Sequence, residues 1–107
     1  MSKSLEWTIM ERAIKLVEAG WTKLAWARDT HGIPVNWESE NAVSFCAVGA
    51  ILRSTRETIG PDAIYTGISV RVCSLKGATY GGDLMHANDT GTKDSTLALM
   101  RERLAEV

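Results

Sequence analysis

The passage SFCAVGAILRS, residues 44–54, puts a cysteine near the start of the densest apolar run in the chain. Cysteine does chemistry as its thiolate, which needs a basic partner or the amide dipoles of a helix's first turn. Downstream, the segment HAND supplies His86, Asn88 and Asp89, so the chain order is Cys, His, then Asn or Asp. That is the order of papain-like sites, with Cys46 as nucleophile, His86 as base and Asn88 or Asp89 as the group orienting it. Against this, Ser39 suits a helix N-cap and Glu40 adds charge to a first turn, so a helix is expected over about residues 39–58. Counted from Ser39, Cys46 lies about two turns in and gains little from the dipole. Its neighbours Phe45, Ala47 and Val48 are apolar, which raises a thiol pKa and leaves the group inert. The sequence favours packing at Cys46.

The remaining polar candidates each have two readings. Asn88 or Asp89 could hold a ligand or orient His86, or could cap the last helix with help from Thr90 and Thr92. Arg28, in the triplet ARD, could clamp a carboxylate or phosphate, or pair with Asp29 or Asp89 and tie its loop down. The tryptophans Trp7, Trp21, Trp26 and Trp37 crowd the first third of the chain. They read as core packed on the central helix, unless one or two are exposed and form a partner surface. His31, Cys46, Cys73 and His86 lack the paired spacings of a zinc site, so no metal is expected. GATYGGD has neither the P-loop lysine nor the context of a dinucleotide fingerprint, and no cofactor is expected.

These residues must be positioned by a small number of elements. From Ser4 to Ala19, Leu5, Ile9, Ala13, Leu16 and Val17 recur at helical spacing, with Ser4 as N-cap and Gly20 as C′ glycine. Asp29 and Gly32 suit a type I turn, and Pro34 keeps Ile33 out of the α region, so a hairpin could join 24–28 to 33–36. Between Ala42 and Leu52 there is no charge, the pattern of a central helix buried on every face. Gly49 in such a helix costs about 1 kcal/mol against alanine, which calls for another backbone passing close by. Over residues 62–76 helical and strand patterns coexist, and helix is the preferred reading. The segment 83–89 reads as a short turn or helical piece, and 94–107 as a last amphipathic helix. The expected fold is mainly α: one small helical domain around a buried central helix, with a short β-hairpin near 23–36.

Composition sets the outer bounds. The 107 residues are 45% apolar and 23% charged, which suits a single globular domain. Net charge is −1, from 12 basic and 13 acidic residues without a basic block, so nucleic acid is not expected as a partner. The N-terminal stretch is broken by Glu6, Glu11, Arg12 and Lys15, unlike a signal peptide, and no apolar run would span a bilayer. A cytoplasmic address with free cysteines is expected.

Gly20-Trp21, Ala27-Arg28-Asp29 with Gly32 and Pro34, Cys46-Ala47 with Gly49-Ala50, and Asn88-Asp89 together form a pattern. It resembles that of a family of short, uncharacterised bacterial and phage proteins, a domain of unknown function, over roughly residues 5–105. There a tryptophan commonly precedes the Asn-Asp pair; here the residue is Ala87, with His86 before it, which makes His86 peculiar to this chain. The resemblance implies a small helix-rich fold and a shared polar site from Arg28, Asp29, Asn88 and Asp89. The family carries no known function to transfer, and a phage or prophage accessory protein would fit it.

The sequence therefore reads as a binding module for another protein, a second copy of itself included, through Arg28, Asp29, Asn88, Asp89, Trp26 and Trp37. The alternative is a small hydrolase or transferase using Arg28, Asp29, His86, Asn88 and Asp89, with or without Cys46. A weaker alternative, nucleotide or nucleic-acid binding, needs Arg53, Arg56, Arg71 and Lys76 on one face.

Overall fold

A computed structural model describes residues 4–60 and 82–105. Within them the chain is mainly helical with one small antiparallel sheet. Helix α1 spans Leu5–Ala19, and the Ser4 hydroxyl accepts the Trp7 N–H as its cap. One face of α1, Ile9, Met10, Ala13, Ile14 and Val17, is buried. Gly20 follows in extended backbone, φ −169°, rather than as a left-handed C′ glycine. Its missing side chain has a different reason. A Cβ there would collide with the Val43 carbonyl oxygen and crowd Ser44, where the chain returns alongside.

The hairpin forms between β1 (Ala27–Arg28) and β2 (Pro34–Val35), with Ala27 opposite Val35 and Arg28 opposite Pro34. Its turn uses Asp29 and Gly32 as their types suggest. The Gly32 N–H donates to the Asp29 carbonyl, and Gly32 takes φ +78°. A third strand, β3 (Ser44–Phe45), pairs on the other side of β1, giving the order β2-β1-β3.

That strand corrects the expected extent of the central helix. Helix α2 spans Ala47–Ile59, not 39–58, and its N-cap is Cys46. Ser39 instead closes a local turn, its hydroxyl accepting the Asn41 N–H. Arg53 fastens this loop to α2 by donating to the Trp37 and Ser39 carbonyls, with its guanidinium 5.7 Å from the Phe45 ring centroid. Arg56 pairs with Glu38 at 3.5 Å on the same loop. The start of α2 is buried at every position from Ala47 to Ile51, as an uncharged run requires.

Helices α3 (Gly82–Thr90) and α4 (Lys93–Leu104) complete the described residues. Thr92 caps α4 and exchanges a capping box with Ser95, so neither Asn88 nor Asp89 serves that end. Helix α1 packs against both α2 and α4, and α3 bridges α2 and α4. The core gathers α1 with Ala47, Val48, Ala50 and Ile51 of α2, Leu84 of α3, and Leu97 and Met100 of α4. The Ser54 hydroxyl, fully buried, donates to the Ile9 carbonyl at 2.7 Å and locks α2 to α1. The expectation over 62–76 lies outside the described residues. Among those described, no helix is long and apolar enough to cross a membrane.

Candidate functional site

The start of α2 is where the chain brings its distant polar residues together. Asn88, on α3, is completely buried, and a buried amide must find partners for both of its ends. Its Oδ1 accepts the indole N–H of Trp21 and the backbone N–H of Ala47, each at 2.9 Å. Its Nδ2 donates to the Thr22 carbonyl at 3.0 Å and to Asp89 Oδ1 at 3.2 Å. Asn88 is thus a cap, but for the first amide of α2, 41 residues away, and not for the helix that follows it.

Asp89 extends this arrangement to the loop between α1 and β1. Its Oδ1 accepts the Leu24 N–H at 2.9 Å and holds Leu24 at φ +63°. That is the left-handed region, unfavourable for a residue with a bulky Cβ substituent. The loop is tied at three further points. Arg28 donates from Nε to the Thr22 hydroxyl at 2.7 Å and from Nη2 to the Lys23 carbonyl. The Cys46 N–H donates to the Trp26 carbonyl at 3.2 Å. Gly49 packs so tightly on that carbonyl that a Cβ would overlap its oxygen, which supplies the close backbone approach its position called for.

Between this loop, α3 and the head of α2 lies a cleft of about 290 Å³, lined by Leu24, Ala25, Trp26, Cys46, Met85 and Asp89. Leu24 and Trp26 form its open rim, 73% and 44% exposed. Cys46 is 3% exposed, and its Sγ accepts the Gly49 N–H at 3.2 Å. The thiol therefore sits at the N-cap and not two turns into the helix, so the amide dipoles do reach it. Burial is nonetheless the largest influence and pushes the thiol pKa up. The Gly49 and Val48 amides pull the other way, and the Asp89 carboxylate adds to the rise. The net direction is upward, which keeps Cys46 a neutral thiol at neutral pH.

The other expected residues fall elsewhere. His86 is exposed on α3 and does not line the cleft. Asp29 holds the hairpin turn, its Oδ1 accepting the Ile33 and His31 N–H groups, and these bonds lower its pKa. Arg28 pairs with neither Asp29 nor Asp89 and spends its guanidinium on Thr22, Lys23 and Gly32. Trp37 is half-buried and outside the cleft. Among the described residues no three His, Cys, Asp or Glu side chains gather as metal ligands. Leu24 and Met85 were not expected at a site. Nothing local marks Leu24, because a distant carboxylate imposes its backbone.

No protein-family model, curated protein or solved structure matches this chain.

Proposed function

We propose that the chain is a binding module that takes a side chain of a protein partner into the cleft beneath Leu24 and Trp26. The observation that carries this reading is Leu24: a large apolar residue, 73% exposed, fixed in left-handed backbone by Asp89. Strain of this kind costs about 1–2 kcal/mol and persists only where surrounding structure enforces it, commonly at binding sites. Fixing the rim in advance also reduces the ordering cost of association. Trp26 beside it belongs to the residue type most enriched among binding hot spots. The cleft, about 290 Å³, lies at the lower edge of the range of small-molecule pockets, roughly 300–1,000 Å³, and has room for one partner side chain. Membership of the family of short bacterial and phage proteins belongs to the same proposal. Its support is that Trp21, Cys46, Gly49, Asn88 and Asp89 of that pattern are linked through Asn88 and the head of α2, with Cys46 and Asp89 lining the cleft.

A second reading, a small enzyme with Cys46 as nucleophile, draws on one observation: the thiol caps α2 and lines the cleft. Against it stand the upward pKa shift and the absence of His86 from the lining.

Selection from a library of displayed peptides tests the first reading. Enriched segments should share an anchor side chain and lose binding to Trp26→Ala protein. Enrichment indifferent to both Leu24 and Trp26 would reject the cleft as the binding surface.

A further inference from the structure

The geometry points to a basic side chain, lysine or arginine, on the protein partner as the group this cleft receives. The inference rests on the cleft being the binding surface and adds the chemistry of its occupant. Among the described residues that line the cleft, Asp89 alone is charged. Its Oδ1 is committed to Leu24 and Asn88, whereas its Oδ2 has no hydrogen-bond partner among the described residues. No described lysine, arginine or histidine forms an ion pair with it either. Arg28, which passes the same loop, donates to Thr22, Lys23 and Gly32 instead.

A half-buried carboxylate with no counter-charge among the described residues, beside described walls that are otherwise apolar, is complementary to a cation carried on an aliphatic stem. Leu24, Trp26 and Met85 offer the walls along which the methylenes of lysine or arginine bury, leaving the head group to reach Asp89. The indole of Trp26 is also the aromatic face that attracts a cation most strongly. A purely apolar anchor would use the walls and leave the carboxylate partly desolvated with nothing in return. An acidic anchor would meet like charge.

The test uses blocked Gly-X-Gly tripeptides with X as arginine, lysine or norleucine, and free butylguanidine as a small cation. Binding is read from the amide resonances of Leu24 and Asp89 and the indole resonance of Trp26. The arginine and lysine peptides should bind about fivefold more tightly than the norleucine peptide, the combined scale of an exposed ion pair and a cation–π contact. In Asp89→Asn protein the ratio of arginine to norleucine binding should fall to about one, because the charge contribution is lost. The asparagine retains an oxygen for the Leu24 N–H, and an unchanged Leu24 resonance verifies the loop. Should the variant disturb that loop, a salt series on the unaltered protein answers instead, because the preference should fade at high ionic strength. Equal binding of norleucine and arginine peptides overturns the inference and leaves the cleft reading standing. Butylguanidine binding as tightly as the arginine peptide overturns the protein source in favour of a free cation. If no peptide shifts these resonances, the cleft reading itself falls.

Discussion

Replacing Asn88 by alanine should be among the most damaging single changes to the described core, although the residue is polar and contributes no apolar packing. The side chain is completely buried and makes four hydrogen bonds. Alanine would leave the Trp21 indole N–H, the Ala47 N–H and the Thr22 carbonyl without this partner. Asp89 would be less affected, because it keeps the Leu24 N–H. Loss of a cap alone costs about 1 kcal/mol. Each buried group left unsatisfied costs about 1–3 kcal/mol, less where water enters the vacated space. Counting the Ala47 N–H once, as the cap, and the Trp21 N–H and Thr22 carbonyl at about 1–2 kcal/mol each gives roughly 3–5 kcal/mol, against a total of about 5–15 kcal/mol for a domain of ordinary stability. Urea unfolding followed by tryptophan fluorescence measures it, provided the slope with denaturant is unchanged. Asn41→Ala is the control: the residue is exposed in a surface turn, and the change should stay within about 0.5 kcal/mol. A loss below about 1 kcal/mol for Asn88→Ala would refute the reasoning, because the joint between loop, α2 and α3 would then not depend on this amide.

Three further outcomes follow from the same geometry. Gly49→Ala should destabilise by about 1–3 kcal/mol in thermal unfolding, against the gain of about 1 kcal/mol expected in an open helix, because the new methyl meets the Trp26 carbonyl. Leu24→Asn should stabilise the protein by about 0.5 kcal/mol, since asparagine accepts φ +63° more readily, while weakening capture of any partner. Cys46 should react with a thiol reagent far more slowly in folded than in unfolded protein, with a midpoint above the free-thiol value of about 8.5. Because its folded pKa is raised, the stability it contributes is complete below about pH 8.5 and is lost as pH climbs through the folded value. Fast labelling in the folded state with a midpoint below about 8.5 would favour the enzyme reading instead.

Local pattern disclosed the elements that depend on local pattern. The Ser4 cap and the buried face of α1, the Asp29–Gly32 turn, and the close approach at Gly49 all follow from residue type and spacing. The start of α2 did not, for two reasons. An apolar run has no period of its own, so a two-residue strand at Ser44–Phe45 merges into the helix after it. Cysteine also lies outside the preferred caps, whereas Ser39 satisfies the rule and makes only a turn. The polar cluster was legible as a set of residue types but not as an arrangement. Asn88 looks like a cap for the helix after it, yet Thr92 takes that position and Asn88 crosses to Ala47. Leu24 was invisible because its conformation opposes its own preference and depends on Asp89, 65 residues later. Arg28 shows the converse. Its type suggested a ligand clamp, but the loop that carries it offers enough oxygen atoms to occupy it.

The measurement that bears most directly on the cleft as the binding surface is the dissociation constant of a selected peptide for native, Trp26→Ala and Ile33→Ala proteins. Ile33 is also an exposed apolar residue, 57% accessible, but it flanks the hairpin turn and not the cleft. Truncating a hot-spot tryptophan costs about 2 kcal/mol or more, so binding to Trp26→Ala should weaken about thirtyfold while Ile33→Ala binds as the native protein does. Equal weakening by both, or by Ile33→Ala alone, would contradict the account and move the partner surface to the open end of the sheet.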